Sequence, residues 1–206
     1  MNLRRRTLTT AAILAPFAAL LRPLAALGQQ QGPYIEIKPP LPVDSGKIEV
    51  LELFWYGCIH CYNLEPSLEL WSKKLPADVE FRRVPAIFNR RMAHDASIFY
   101  AFEALGVLDK LHKPFFDAIH RDQLRTDNGE ALGDWLRRNG LDPQKFNDTM
   151  KSFGVQSKTR RAAQLTVAYK IDGTPAMAVQ GRYTIPAGEG LFETVNSLID
   201  ASRKKK

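Results

Sequence analysis

Apolar and polar positions along residues 34–90 are patterned as strands around one amphipathic helix. The run 47–55 is rich in β-formers and largely apolar, as expected for a buried strand. Residues 79–84 read as a further strand, so the strand–helix–strand order predicts a crossover and a parallel pair. Between them, a helix is predicted over residues 58–74 because apolar side chains recur on one face at Leu64, Leu68, Trp71 and Leu75.

The stretch from residue 91 to residue 168 has helical character throughout. Asp142-Pro143 is typical of an N-cap followed by proline at the first helical position. Glycines separate the segments of this stretch, which predict helices at 93–105, 108–120, 130–139, 143–152 and 155–169.

Strand patterns return after the helical stretch. Residues 176–180 and 182–185 predict a hairpin around Gly181, and a last helix is expected over residues 189–202. A short alternating strand at 34–38 precedes the first buried one.

This order of elements predicts an α/β fold in which a helical stretch separates the strands of one sheet into two groups along the sequence. We expect residues 29–90 and 169–206 to form the two halves of one domain, with a mixed central sheet flanked by helices. Residues 91–168 are expected to form an all-helical subdomain inserted between the halves.

The N-terminus has the pattern of an export signal over residues 1–28. A charged run, Arg4-Arg5-Arg6, precedes a mostly apolar stretch at 7–21 and a small-x-small cleavage site at 26–28. A retained membrane anchor is the alternative, although the apolar stretch is short for a span. Arg5-Arg6-Thr7-Leu8 also resembles a twin-arginine signal, so the export route stays open between two pathways.

The formal net charge of +7 comes from the two ends of the chain. Removal of residues 1–28 would delete four arginines and no acids, which leaves +3, and residues 203–206 hold four more positive charges. The body is therefore near neutral, and nucleic-acid binding, which needs a basic face, is not expected. Contact of the tail with an anionic membrane surface is a minor alternative.

The two cysteines of the chain, Cys58 and Cys61, are separated by two residues at the predicted junction of strand and helix. A disulfide that closes so short a loop removes little entropy from the unfolded chain, so the spacing favours a redox role over a structural one. In the first helical turn, free N–H groups and the helix dipole stabilise a thiolate. This context predicts a reactive cysteine.

Metal and haem sites are the alternatives for a C-x-x-C pair. In many zinc sites a C-x-x-C pair supplies two of the four ligands. Here there is no second cysteine pair, and His94, His112 and His120 lie far away in sequence. These histidines are expected on helix surfaces or in the core. Haem attachment needs a histidine after the second cysteine, where Tyr62 stands. We therefore expect no metal and no cofactor beyond the redox-active disulfide.

Two segments, residues 50–62 and 173–177, resemble the DsbA branch of the thioredoxin superfamily. The resemblance implies a thioredoxin fold with an inserted helical subdomain, a periplasmic location and thiol:disulfide oxidoreductase activity. It also implies reduced or unfolded exported proteins as substrates, and a quinone-linked, DsbB-like membrane partner that restores the disulfide. A monomer is expected.

The resemblance also implies a role for individual residues. Cys58 would be the exposed nucleophile, Cys61 its more buried partner and His60 the histidine between them. The supporting residues would be a buried acid (Glu52), a helix-kinking proline (Pro66), a cis-proline (Pro175) and the residue before it, which presents backbone groups to a bound peptide (Thr174).

Tyr56 is interpreted mainly as a packing residue that could also contribute to an apolar substrate-binding rim. Two positions depart from the DsbA pattern: Ile59 replaces the usual proline, and Thr174 replaces the valine common in oxidases. Both positions tune redox potential and partner choice in the family. Thr174 keeps a disulfide isomerase or chaperone-like binding module as an alternative, and an exported reductase is a weaker one. The oxidase is preferred because about 18 residues between the predicted cleavage site and the main first strand are too few for the dimerisation domain of such isomerases.

Overall fold

The computed structural model describes residues 32–43 and 46–204. The predicted signal peptide at 1–28 lies outside these residues and stays a prediction. Within the described part of the chain, no helix is long and apolar enough to cross a membrane.

Five strands form one mixed sheet in the order β1-β5-β4-β2-β3. β2 and β3 run parallel, as the strand–helix–strand pattern predicts, and the other neighbouring pairs are antiparallel. The strands are β1 (Ile35–Glu36), β2 (Ile48–Phe54), β3 (Val79–Pro85), β4 (Ala176–Val179) and β5 (Tyr183–Pro186).

Seven helices lie in the described residues, and five of them (α2 to α6) come between β3 and β4 in sequence. Each predicted helix is found, with its ends displaced by at most three residues. The helices are α1 (Ile59–Ser72), α2 (Arg90–Ala104), α3 (Leu108–His120), α4 (Gly129–Arg138), α5 (Pro143–Lys151), α6 (Phe153–Ala168) and α7 (Leu191–Arg203).

Side-chain caps explain where two of these ends differ from the prediction. The Asn89 side chain accepts a hydrogen bond from Met92 N, so α2 begins at Arg90. Ser152 caps α6 in the same way, and Gly154 consequently lies inside this helix rather than between two helices. At α5 the predicted cap is confirmed, since the Asp142 carboxylate accepts from Lys145 N at 2.6 Å.

Strand β2 contributes to two hydrophobic clusters because its successive side chains point to opposite faces. Leu51 and Leu53 belong to the cluster that contains the apolar side chains of α2 to α6, whereas Ile48 and Val50 belong to the cluster that contains those of α7. All seven residues of β2 are buried. The helical segment is thus packed directly against the sheet, at the strand that leads into the C-x-x-C pair.

The hairpin between β4 and β5 closes through a β-turn in which Arg182 N donates to Val179 O at 3.0 Å, and the two central residues of this turn, Gln180 and Gly181, both have positive φ. This conformation matches the twist of the flanking strands. Leu41 N donates to Gly181 O at 2.9 Å, which secures the extended proline-rich segment against the turn. The Lys38–Pro39 peptide bond in that segment is cis.

Candidate active site at Cys58 and Cys61

The two cysteines lie where β2 passes into α1. Residues 55–57 make a turn after the strand, and Cys58 N donates to Trp55 O at 3.0 Å across it. Cys58 is the N-cap residue of α1, and its own carbonyl accepts from Tyr62 N at 3.1 Å. The helix therefore begins directly after the first cysteine, within one residue of the start at 58 that the sequence pattern predicts.

The thiols of Cys58 and Cys61 are both free in this structure, and their surroundings differ. Cys58 is half-buried, whereas Cys61 is fully buried. The pKa of Cys58 is lowered to about 5, and the largest cause is a hydrogen bond from the Cys61 side chain, which acts against the effect of partial burial. Hydrogen bonds from the Thr174 side chain and from the N–H groups of Cys61 and His60 make smaller contributions to the same lowering. Cys58 is consequently a thiolate at neutral pH.

Burial and the hydrogen bond to Cys58 raise the pKa of Cys61 strongly, and the nearby Glu52 carboxylate adds to this rise. The pair therefore holds one proton at pH 7, on the buried sulfur. A thiolate at Cys58 is the reactive form in disulfide exchange.

The wall that faces Cys58 is the Thr174–Pro175 peptide bond, which is cis, as predicted for Pro175. The Thr174 carbonyl oxygen lies 3.2 Å from Cys58 Sγ, where it can accept a hydrogen bond from the thiol but not from the thiolate. The Cys61 and N–H donors outweigh this contact, because the net shift of the Cys58 pKa is downward.

A largely apolar groove of about 620 Å³ lies between the start of α1 and the cis-proline. The His60 side chain is exposed at its rim. The apolar side chains in its lining are those of Leu64, Pro175, Ala187, Leu191 and Phe192. The groove brings His60, Thr174 and Pro175 together.

Glu52 lies in the core with no exposed surface, on the strand that leads to the cysteines. Burial raises its pKa to about 8, and the charge of Glu65 adds to the rise, whereas Arg83 opposes it. Arg83 Nε lies 3.2 Å from Glu52 Oε2 but donates to Glu65 instead, and neither Glu52 oxygen has a hydrogen-bond partner among the described residues. This carboxyl group can exchange a proton near neutral pH, as a proton-transfer role requires.

Sequence reasoning missed the network that connects Arg83 to the helical insertion. Arg83 makes two hydrogen bonds to Glu65 at 3.0 and 3.2 Å, and these together with His112 lower the pKa of Glu65 despite its burial. Burial lowers the pKa of His112, so this ring is neutral at pH 7. Its Nε2–H donates to Glu65 at 3.2 Å, which leaves Nδ1 as the acceptor for the Tyr56 hydroxyl at 2.9 Å.

The expectation that Tyr56 contributes to a substrate-binding rim is wrong. Its side chain is 1% exposed and packs edge-on against Phe115 and Phe116 at 4.8 Å between ring centroids. The hydroxyl finds a partner inside the core in His112, so nothing draws the ring to the surface. Tyr56 is a core residue, and the interpretation of its side chain as mainly a packing residue is confirmed.

Two further insertion residues contact the turn before Cys58. Trp55 Nε1 donates to Asp95 Oδ2 at 2.7 Å, and His120 Nε2 donates to the Tyr56 carbonyl at 2.8 Å. The signal for Asp95 is present in the sequence, as an acid that directly precedes the apolar stretch 96–102 in a helix. Across residues 32–43 and 46–204, no three His, Cys, Asp or Glu side chains are grouped to hold a metal ion.

Comparison with known proteins relates the chain to thiol:disulfide interchange proteins. Residues 63–199 match the family described as DSBA-like thioredoxin domain. The thiol:disulfide interchange protein DsbA of Azotobacter vinelandii is 42% identical over 176 residues, which cover 82% of each protein. That of Bordetella pertussis is 45% identical over 186 residues, which cover 87% of this chain and 88% of the relative. The crystal structure of Pseudomonas aeruginosa DsbA is similar at 40% identity with a TM-score of 0.78, covering 84% of this chain and 93% of that one.

Proposed function

This chain belongs to the DSBA-like thioredoxin family and is a thiol:disulfide oxidoreductase, and we propose that it donates the Cys58–Cys61 disulfide to reduced exported proteins through Cys58. The observation that carries the assignment to Cys58 is its half-buried sulfur with a pKa of about 5, beside a buried thiol whose pKa is raised. A sulfur with a low pKa is a good leaving group, so a mixed disulfide at Cys58 is resolved rapidly.

The first step transfers the disulfide to a mixed disulfide. A substrate thiolate attacks Cys58 Sγ, the Cys58–Cys61 bond breaks, and the electron pair of that bond goes to Cys61. Cys61 needs a proton to be a stable product, since burial disfavours its thiolate. Neutral Glu52, with a pKa of about 8, is the proton donor that we propose for this step.

The second step releases the oxidised substrate. A second thiolate of the substrate attacks the substrate sulfur of the mixed disulfide, and Cys58 departs as a thiolate. The two electrons lost by the substrate then reside in the reduced Cys58–Cys61 pair. Hydrogen bonds from Cys61, Thr174 and the first turn of α1 stabilise this reduced state, which makes the disulfide a strong oxidant.

Substrate binding is assigned to the groove between α1 and the cis-proline. Its apolar lining suits an unfolded chain with exposed apolar side chains, and Thr174 places backbone groups next to Cys58. His60 at the rim would contact the bound segment. We propose that residues 1–28 direct export to the periplasm and are removed, and that the protein acts as a monomer.

Reoxidation requires a protein that accepts the two electrons from the reduced pair. We propose a quinone-linked, DsbB-like membrane protein for this role. In that half-reaction Cys61 must give up its proton, and the Glu52 carboxylate is the base that lies near it.

The decisive test is the redox equilibrium of the purified protein with glutathione, together with oxidation of a reduced model protein. A strongly oxidising equilibrium constant and complete loss of oxidation in Cys58→Ser are expected. Cys61→Ser should accumulate a mixed disulfide at Cys58. Unchanged oxidation of the model protein by Cys58→Ser would refute the assignment.

A disulfide isomerase remains the second candidate because Thr174 stabilises the reduced Cys58 that isomerisation needs. Refolding of a scrambled model protein by the reduced form separates the two activities. Reactivation at a rate comparable to its oxidation of reduced proteins would favour the isomerase. A glutathione equilibrium similar to that of thioredoxin would favour the reductase instead.

A further inference from the structure

The turn at residues 55–57 is held from the helical insertion as well as from the sheet. Trp55 donates through its indole to Asp95 of α2, and Tyr56 is bonded to His112 and His120 of α3. We propose that Asp95 is a positioning residue for the redox pair, which it controls through the Trp55 indole. The proposal rests on the function assigned to Cys58 and Cys61 above.

The main chain of Trp55 contacts both cysteines. Its carbonyl oxygen accepts from Cys58 N at 3.0 Å, which closes the turn that starts α1. Its backbone also makes a hydrogen bond to Cys61 that favours the thiolate of that residue. Any displacement of Trp55 therefore changes the surroundings of both sulfurs together.

The indole of Trp55 packs against the backbone at Gly57. A Cβ atom at Gly57 would lie 2.6 Å from Trp55 Cε2 and 2.7 Å from Cη2, which is closer than carbon atoms can approach. Because the ring fills this space, its position determines where the chain enters α1. Asp95 fixes that position through the 2.7 Å bond to Nε1.

Asp95 is itself an unusual residue for its location. It is 2% exposed, and residues 96–102, which follow it in α2, are all buried. Thr126 Oγ1 donates to Asp95 Oδ1 at 2.5 Å, and Arg91 Nε lies 3.5 Å from Oδ2. Those partners belong to the helical insertion, whereas the Trp55 bond reaches the active-site turn.

A buried carboxylate is costly unless it is hydrogen-bonded, and an apolar side chain would be the simpler choice at such a position. The acid at 95 provides a strong acceptor for the indole, and Thr126 and Arg91 hold that acceptor in one orientation. Asp95, held in this way, is suited to fix the position of the Trp55 indole.

The test compares Asp95→Asn with the wild type in the full mature protein. Asparagine keeps the shape of the side chain but not its charge, so the Trp55 indole then donates to a neutral amide oxygen and its hydrogen bond is weakened. The readouts are the Cys58 pKa, followed by thiolate absorbance, and the equilibrium constant with glutathione. We expect the Cys58 pKa to rise and the equilibrium constant to become less oxidising by roughly threefold or more, since one pKa unit corresponds to a factor of about ten.

The matched control is Ser97→Ala, two residues further along α2. Ser97 Oγ contacts Thr159 Oγ1 at 3.3 Å inside the insertion, with no part in the turn. This variant should lower Tm while leaving the Cys58 pKa and the glutathione equilibrium at their wild-type values. A general loss of stability is thereby separated from a change at the sulfurs.

Trp55→Phe and the double variant with Asp95→Asn decide whether the effect passes through the indole. Trp55→Phe alone should shift the Cys58 pKa in the same direction, and the second change should then add nothing. Wild-type values in Asp95→Asn, or an undiminished further shift in the Trp55→Phe background, would overturn the proposal. If Asp95→Asn does not fold, an unshifted Cys58 pKa in Trp55→Phe overturns it as well. Failure of the wild type to oxidise any model protein would instead contradict the proposed function.

Discussion

Glu52 and Arg83 are register partners in the parallel strands β2 and β3, yet the guanidinium donates its hydrogen bonds to Glu65 of α1. The Glu52 carboxyl group is left in the core with an ion-pair contact but without a hydrogen bond from the described residues. A carboxyl group in this situation favours its neutral form, because burial penalises the charge more than one shared cation stabilises it.

Glu52→Gln should remove a pH dependence of stability, measured in a background with both cysteines changed to serine. The folded-state pKa of about 8 lies above the ordinary 4.5, so the folded protein binds the extra proton and stability falls as pH rises between these values. The loss for the glutamate protein is at most about 5 kcal/mol. Denaturant unfolding at pH 5 and pH 8 measures the free energy of unfolding of both proteins. An equal change with pH in the glutamate and glutamine proteins would contradict the raised pKa.

Cys61→Ser should raise the pKa of Cys58 from its value of about 5, because the Cys61 hydrogen bond is the largest contribution to the lowering. A serine hydroxyl in the same place retains part of the effect, and Cys61→Ala should therefore raise the pKa further. Thiolate absorbance as a function of pH gives both values. A midpoint unchanged in the alanine variant would show that the N–H groups of α1 suffice.

The stability of the reduced protein should depend on pH through Cys58. Its folded-state pKa lies below the ordinary 9.0, so the stabilising effect is complete above pH 9 and is lost as pH falls through about 5. The reduced protein should accordingly unfold at a higher temperature than the oxidised one at pH 7, and the difference should disappear at pH 4. Thermal unfolding of both redox forms at the two pH values checks this.

Thr174→Val should make the protein a weaker oxidant. Valine has a similar shape but no hydroxyl, so the side-chain hydrogen bond that lowers the Cys58 pKa is removed while the carbonyl contact at 3.2 Å remains. The Cys58 pKa should rise. In the equilibrium with glutathione, the oxidised protein and reduced glutathione should be favoured by the same free energy. A more oxidising constant in the valine variant would contradict this account of Thr174.

Tyr56→Phe should affect stability and leave substrate oxidation nearly unchanged. The substitution removes the hydroxyl that donates to His112 Nδ1 and leaves that buried nitrogen without its partner, at a cost of about 1–3 kcal/mol. Unfolding in denaturant measures the loss, and the oxidation rate of a model protein is the control. A large fall in the apparent affinity for substrate at unchanged stability would restore the rim interpretation.

The sequence predicts the elements of this fold well because its periodicities are strong and its breaks are marked by glycine and proline. Hydrophobic spacing is sufficient for α1 and for the β2–β3 pair, and the C-x-x-C spacing identifies the reactive sulfurs. The side-chain caps at Asn89 and Ser152 are weaker signals in the sequence. For that reason the predicted starts of α2 and α6 lie two or three residues after the observed ones.

The contacts that surround the site are harder to predict since they join residues far apart in sequence. Trp55 and Asp95 are 40 positions apart, and Tyr56 and His112 are 56 apart. Periodicity places each of these residues on an element but says nothing about which side chains meet. The aromatic character of Tyr56 fits both a rim and a core, and only the position of His112 decides between them.

Strand β2 supplies alternate side chains to both hydrophobic clusters, and this has a consequence for the way the molecule opens. Loss of the helical segment would expose Leu51 and Leu53, and loss of α7 would expose Ile48 and Val50. Neither half of the interior can come apart without weakening the same strand. The amide protons of β2 should therefore be among the last to exchange with heavy water, and their exchange should report unfolding of the domain as a single cooperative unit.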